Sequence, residues 1–244
     1  MIAQVKAELL KVRSTRTTLG LVLGMIALIL LFALLTGLLS KISGLSTTED
    51  QRTTLSLGSL AGIFSALAGV LLVTSEFRFG TIRPTFLFTP VRSRVLGAKL
   101  IAGLLAGLVF GVVGEGVGFA IGYLIIDARG IAFVLSGGEV ALLLLGTLAA
   151  TALWAALGVG FGAIVRNQVG AVIGLLAWGF IVDNLLFGLL PSVGRFMPTR
   201  AQDALIGLKT EHLLSPASGG LVLAAWVVVL ALIGLSLVAR RDVS

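Results

Sequence analysis

Six long stretches that are almost free of charged side chains restrict what this chain can fold into. Each stretch holds between 23 and 28 residues. Four of the six contain no charged residue, and the other two contain one each. An α-helix needs about 20 apolar residues to cross a hydrocarbon core about 30 Å thick, so every stretch is long enough to span a bilayer. The alternating segments of barrel strands are absent. The sequence predicts six transmembrane helices, at residues 18–40, 54–75, 97–126, 140–165, 168–190 and 217–239.

The composition agrees with an integral membrane protein. Only 12% of the residues are charged and 57% are hydrophobic, whereas soluble domains carry about 25% charged residues. Because the connections between the stretches are short, we expect residues 1–244 to form one all-α integral membrane domain. The sequence has no cysteine, which excludes disulfides, iron–sulfur clusters and thiol catalysis.

The basic residues are distributed unequally between the two sides of this arrangement. Six spans place both chain ends on one side of the membrane. If that side is the cytoplasm, the inner segments hold 12 of the 18 lysines and arginines and carry a net charge of +9, while the outer segments are neutral. The positive-inside rule therefore predicts cytoplasmic termini. The overall charge of +7 then points to an anionic bilayer surface rather than to nucleic acid.

The segment before the first span, residues 2–17, has the pattern of an amphipathic helix. Its apolar residues recur at three- and four-residue spacing and share one helical face, and they are Ile2, Val5, Leu9 and Val12. With lysine and arginine at other positions, the segment is expected to lie along the inner membrane surface as an interfacial helix. A basic flank that only sets the orientation of the first span is the open alternative.

The connection after the second span, residues 75–94, combines apolar and basic character. Phenylalanines alternate with basic residues, and two prolines prevent a long helix. Such a segment is expected to lie against the membrane or to dock on a partner. Glu76 stands among many cations, so an ion pair with Arg78, Arg83 or another basic residue would hold this elbow. A plain basic loop that obeys the charge rule is the alternative.

The same connection carries a pattern that resembles a known family. It reads Glu76-x-x-x-Gly80-Thr81-Ile82, followed by Thr89-Pro90-Val91-Arg92-Ser93-Arg94 and Gly97-Ala98-Lys99-Leu100. This is similar to the signature of type-2 ABC transporter permeases. The likeness extends over the whole chain, through the basic N-terminus, the six spans, a cytoplasmic turn at residues 165–170 and a re-entrant-like segment before the last span.

The resemblance implies the transport subunit of a bacterial exporter in the cytoplasmic membrane. In that family the elbow is similar to a coupling helix that seats in a separate P-loop ATP-binding subunit, and a second permease copy, identical or related, completes the pathway. A short cytoplasmic turn makes a further contact. The residues that the resemblance assigns to coupling are Glu76, Arg78, Gly80, Thr81, Arg166 and Asn167.

The chain itself has no site for ATP hydrolysis. A P-loop requires Gly-x-x-x-x-Gly-Lys-Ser/Thr, and no lysine in this sequence follows a glycine. We therefore expect a transport subunit that is not an enzyme and binds no cofactor, with ATP and Mg²⁺ on the partner subunit.

Glu115 and Asp183 are the only charged residues inside the six long stretches. Counted along the helices from Lys99 and Arg166, both lie ~25 Å toward the outer face. A charge at the centre of a membrane helix costs about 2.5–3.5 kcal/mol on insertion scales and usually faces a cavity or a partner. We hypothesise that both acids and Asn184 line the outer end of a translocation path. A protonated or internally hydrogen-bonded acid with a structural role is the alternative.

Glycines at four-residue steps mark the third, fourth and fifth spans. They allow helices to approach closely in lipid, which favours tight packing within one bundle, with a dimer seam as the alternative. The glycines of the third span are Gly103, Gly107, Gly111, Gly114, Gly118 and Gly122.

Other functions compete with the exporter. An ion-coupled secondary carrier would use Glu115 and Asp183, but no inverted repeat supports it. An intramembrane protease lacks a recognisable nucleophile and base. A permease-like sensor is hardly distinguishable from the exporter by sequence. Largely apolar spans favour an amphiphilic or lipid-like cargo.

Overall fold

The structure, a computed structural model, describes residues 1–82, 84, 87 and 91–240. The chain is 85% helical, and no strand occurs among the described residues, so the all-α prediction is confirmed. Some residues used in the sequence analysis lie outside the described part, namely Arg83, Thr89, Pro90, Arg241 and Asp242.

Short turns connect a series of long helices. The chain begins with α1 (Ile2–Ser14) and α2 (Arg16–Leu39). The helices that follow are α3 (Thr48–Leu55), α4 (Ala61–Arg78), α5 (Arg92–Ala128), α6 (Gly137–Val165), α7 (Gln168–Ala177), α8 (Asp183–Leu189), α9 (Pro191–Gly194), α10 (Pro198–Leu205) and α11 (Pro216–Arg240). Two 3₁₀ turns, Ile42–Leu45 and Ser56–Leu60, and one π-helical turn, Trp178–Val182, lie between them.

Within the described residues, six helical segments are long and apolar enough to cross a membrane. The second, third and fourth are more than half buried inside the chain, whereas the first, fifth and sixth are at most 22% buried. The first, fifth and sixth segments therefore expose apolar side chains such as Leu38, Ile173 and Leu232. The segments are Arg16–Leu39, Thr48–Arg78, Arg92–Ala128, Gly137–Val165, Gln168–Leu189 and Pro216–Val238.

The second segment differs from the uniform helix that the sequence predicted from residue 54. It begins at Thr48, because Thr47 and Asp50 form a capping box that satisfies the first backbone N–H groups. Arg52, which was counted among the outer charges, is buried and pairs with Glu139 at 2.5 Å. The ion pair lets a charged residue enter the helical segment, which hydropathy alone does not anticipate.

Helix α1 packs on the bundle. Val5, Leu9 and Val12 contact a core cluster that includes Leu96, whereas Ile2 is exposed. Three of the four residues on the predicted apolar face thus contact other helices of the same chain.

The glycine stripes serve packing inside the chain, as predicted. A Cβ added at Gly69 would overlap the carbonyl oxygen of Ala155, and one added at Gly158 would overlap that of Ala66, so α4 and α6 touch backbone to backbone. The stripe of the third span divides between two neighbours, with Gly103, Gly107 and Gly111 facing α6 and Gly114, Gly118 and Gly122 facing the second span.

Candidate functional site

The end of α4, where the elbow begins, and the turn between α6 and α7 lie side by side at one end of the bundle, which we call the basic end. Arg78 Nη1 donates to Gln168 Oε1 at 3.3 Å across 90 residues of sequence. The Arg166 guanidinium lies over the ring of Phe77, 5.5 Å from its centroid. The two segments that the resemblance assigned to coupling are therefore neighbours.

Left-handed backbone conformations shape both segments. Gly80 has a φ of 69°, which costs glycine little, and Arg166 has a φ of 58°, which other residues adopt only with strain. Arg166 ends α6, and the chain reverses at once into α7. Asn167 caps α7, since its Oδ1 accepts from Gly170 N at 2.8 Å.

This region presents a mixed cationic and apolar surface, which we call the elbow surface. Arg78, Gly80 and Thr81 are exposed, and Phe79 is 70% exposed. Its members are Arg78, Phe79, Gly80 and Thr81, together with residues 166–168 of the adjacent turn.

Glu76 lies behind that surface, in a buried group of four charges that we call the ionic cluster. The Lys99 ammonium is 2% exposed and lies 2.8 Å from Glu76 and 2.9 Å from Glu8. Lys11, at the edge, lies 2.6 Å from Glu76 and 2.9 Å from Glu8. Lys99 also donates to the carbonyl oxygen of Leu72 at 3.0 Å.

The ionic cluster joins three helices. It holds α1 through Glu8 and Lys11, α4 through Glu76 and α5 through Lys99, and its formal charges cancel. Burial lowers the pKa of Lys11, but hydrogen bonds to Glu76 and Glu8 more than offset this, so the pKa of Lys11 lies above its usual value. Glu76 therefore faces the interior of the chain, where its effect on any partner passes through the position of α4.

The second predicted group, Glu115 with Asp183 and Asn184, is divided by the structure. Glu115 is 2% exposed in α5 and packs against Gly58 of the second span. Neither of its carboxylate oxygens has a hydrogen-bond partner among the described residues. Asp183 instead contacts α10, where its Oδ2 accepts from Thr199 N at 2.9 Å. The similar depth of Glu115 and Asp183 along their helices did not predict that they have different neighbours.

Asp183 and Asn184 help to fasten α8 to α10. Arg200 donates to Asn184 Oδ1 at 2.5 Å and to Asp203 Oδ2 at 2.9 Å. Phe187 lies beneath the same guanidinium, 4.6 Å from it to the ring centroid. This arrangement fixes a short helix against the end of the fifth span that is remote from residue 168.

A cavity of about 220 Å³ opens next to this junction. Its walls come from the second, fourth and fifth spans and from α10, and the π-helical turn contributes Gly179 and Phe180. Such turns are frequent at functional sites because they widen a helix locally. The Nε1 atom of buried Trp154 lines this region without a described acceptor. Leucine side chains line one part, and Asn184, Thr199, Gln202 and Asp203 line the polar part.

Asp203 gives the polar part of the cavity a titratable group. Burial raises the pKa of its carboxyl to about 6, although Arg200 beside it acts in the other direction. Asp183 lies close enough to contribute a further upward effect on the pKa of Asp203. The cavity is thus apolar over most of its wall, and it becomes more negative when Asp203 ionises as the pH rises through about 6.

Comparison with known protein families and with curated protein sequences finds no match for this chain.

Several residues of these sites were not singled out by the sequence. The sequence marks Lys99 only as a span boundary and as part of a family motif, and Lys11 only as part of a basic flank. One signal pointed toward the ionic cluster, since Glu8 is the only acid in the basic segment 2–17. The sequence did not identify Trp154 and Gln202 as cavity residues, because no spacing rule connects residues that meet only after the helices pack.

Proposed function

We propose that this chain is a multi-pass protein of a bacterial cytoplasmic membrane and serves as the membrane-spanning subunit of an ATP-driven ABC exporter. A separate P-loop subunit supplies ATP hydrolysis with Mg²⁺, and a second copy of this chain or a related permease completes the pathway. The basic end, with both termini, faces the cytoplasm. The chain acts in transport and performs no chemical reaction.

One observation carries this proposal, namely the adjacency of the elbow and the 166–168 turn. The hydrogen bond from Arg78 to Gln168 makes one exposed surface of two segments that the resemblance assigned independently to an ATPase contact. Arg78 and Phe79 offer a cationic and an apolar group to a partner there. Such a mixture of arginine and aromatic side chains is typical of protein interfaces.

The ionic cluster supports a path from that surface into the spans. A displacement of the end of α4 moves Glu76, and its ion pairs with Lys99 and Lys11 pass the movement to α5 and α1. ATP binding by the partner then favours whichever arrangement of the helices it binds more tightly. Glu76 has the role of a positioning residue in this scheme.

The cavity beside α10 supports an amphiphilic substrate. Leu60, Ile63 and Phe180 offer an apolar wall. Asn184 and Asp203 already accept from Arg200, and their remaining oxygen lone pairs are the acceptors for a polar or cationic head. This combination suits a small amphiphile with an amine better than a multiply charged solute.

We expect binding of a cationic amphiphile to strengthen as the pH rises through about 6. Below that value Asp203 is neutral, and above it the ionised carboxylate attracts a cation. Benzyltrimethylammonium is titrated at pH 5 and pH 7.5 while tryptophan fluorescence is recorded, because Trp154 lines the cavity. Benzyl alcohol is the neutral control. A similar rise in the Asp203→Asn variant would contradict the assignment.

The proposed function is tested by gentle purification of the tagged chain from its native membranes. We expect a P-loop ATPase to co-elute with the unmodified chain. Phe79→Asp should reduce the amount recovered about tenfold, because a charge replaces a phenylalanine worth about 1.5–3 kcal/mol when buried. Phe79 is 70% exposed, so this change leaves the bundle intact.

Thr210→Asp is the matched control, since it adds the same charge at an exposed position remote from the elbow surface. It should recover as much ATPase as the unmodified chain. Absence of any ATPase, from membranes that hold the intact complex, would overturn the exporter. Equal recovery with all three chains would mean that the ATPase binds this protein but does not contact the elbow surface.

Glu115 favours a second candidate, an ion-coupled secondary carrier. Its carboxyl group is buried inside the bundle beside Thr147, and intramembrane acids of this kind occur in proton relays. Vesicles that contain only this chain distinguish the two candidates. Uptake driven by an imposed proton gradient without ATP, and lost in Glu115→Gln, would establish the carrier.

A further inference from the structure

A second cavity, of about 160 Å³, lies at the basic end between the start of α2 and the end of α4. Its inner wall is apolar and includes Leu21, Ala68 and Leu71. Its rim is polar and carries Lys11 and Arg78. The remaining polar lining residues are Thr15, Thr17, Thr18, Ser75 and Gln168.

The rim of this cavity has the chemistry of a phosphate site. It holds two cations and several hydroxyl groups, and no carboxylate occurs among the described residues that line it. An arginine has five N–H donors, and one described donor of Arg78 is engaged by Gln168. Lys11 has three donors, of which two go to Glu8 and Glu76. Both side chains therefore retain donors for an anion.

The apolar wall below the rim distinguishes a lipid from a free anion. The wall is apolar on both helices, with Leu21 on α2 and Leu71 and Leu72 on α4. A bound molecule with a phosphate at the rim would place its hydrocarbon chains against this face. Hydrocarbon gains van der Waals contact with that face, whereas inorganic phosphate has no apolar part to fill it.

We propose that this cavity binds the phosphate headgroup of an anionic phospholipid, held by Arg78 and Lys11 at the basic end. The site is independent of the proposed export function, since it requires only this chain and a lipid. A lipid seated here fills the space between α1, the first span and the elbow. It thereby stabilises the position of the elbow surface.

The test measures lipid affinity for the purified chain by native mass spectrometry in detergent. Dioleoyl phosphatidylglycerol, dioleoyl phosphatidylcholine and inorganic phosphate are titrated separately. We expect phosphatidylglycerol to bind at least about tenfold more tightly than phosphatidylcholine. Both lipids carry a phosphate, but the trimethylammonium group of phosphatidylcholine cancels its charge and is repelled by Lys11 and Arg78. Phosphatidylglycerol should also remain bound in an excess of inorganic phosphate.

Arg78→Gln should weaken phosphatidylglycerol binding about tenfold and phosphatidylcholine binding by a smaller factor, because the phosphatidylcholine headgroup has no net charge. Arg78 is preferred to Lys11 because Lys11 also belongs to the ionic cluster. Thr18→Val is a second variant that removes a rim hydroxyl at nearly constant shape, and it should weaken binding by a smaller factor. Arg94→Gln is the control, since Arg94 is exposed on α5 and does not line the cavity.

Equal losses in Arg78→Gln and Arg94→Gln would overturn the site, because they would indicate a general surface attraction. Equal affinity for both phospholipids would overturn it as well. Displacement of phosphatidylglycerol by inorganic phosphate at comparable concentration would identify a free-anion site and exclude the lipid. None of these results depends on whether an ATPase co-purifies, so the lipid site and the exporter fail or succeed separately.

Discussion

Replacing Lys99 by alanine is expected to destabilise the folded chain by about 3–5 kcal/mol, the usual range when one partner of a buried ion pair is removed. Lys99 is 2% exposed and neutralises Glu8 and Glu76 from inside the bundle. Without it, Lys11 is the remaining described cation beside two buried carboxylates, and its side chain is 47% exposed. The desolvated negative charge is then poorly compensated.

Unfolding of the detergent-solubilised chain in increasing dodecyl sulfate measures this loss. Lys6→Ala is the matched control, because Lys6 is an exposed lysine of α1, and it should change the free energy of unfolding by less than about 0.5 kcal/mol. A combined Lys99→Met, Glu8→Gln and Glu76→Gln variant should recover part of the loss, because no uncompensated charge remains buried. Equal stability of Lys99→Ala and Lys6→Ala would refute the buried cluster.

Gly69→Ala is expected to cost about 3 kcal/mol, at the upper end of the range for overpacking. The added methyl group would overlap the carbonyl oxygen of Ala155, which belongs to the backbone of α6 and has no rotamer to change. The facing Gly158 meets Ala66 in the same way, so the two helices would have to separate along their whole contact.

Gly116→Ala provides the control for this prediction. Gly116 lies in α5, and the methyl group that alanine adds there would meet no neighbouring side chain or helix within 4 Å. This change should therefore be neutral or stabilising by up to about 1 kcal/mol, because alanine has the better helix propensity. The same dodecyl sulfate titration compares both variants. A Gly69→Ala chain as stable as Gly116→Ala would mean that α4 and α6 are not in backbone contact.

Features that depend on one segment at a time were predictable. The six long apolar segments follow from hydropathy and length, and the turn at residues 166–168 follows from the charge between two such segments. The elbow after α4 was likewise located by composition. Helix ends were less predictable, as Thr48 shows, because a capping box and the buried Arg52 extend a helix beyond its apolar residues.

Pairings between distant residues were not predictable in the same way. The sequence offered Glu76 two nearby arginines and an unspecified third cation, and the folded chain pairs it with Lys11 and Lys99. Arg78 points instead to Gln168, across 90 residues. The choice depends on α1 folding back against α4 and α5, which no local pattern records.

The amino-acid sequence by itself determined an all-helical chain with six segments able to cross a bilayer and a strongly basic set of connections, since hydropathy and charge are properties of each segment alone. The tertiary structure decided which polar groups meet. It buried the ionic cluster, separated Glu115 from Asp183 and formed the cavities at both ends. The physical reason is that rise along a helix fixes depth, whereas the direction that a side chain faces is fixed only when glycine-lined helices pack against each other.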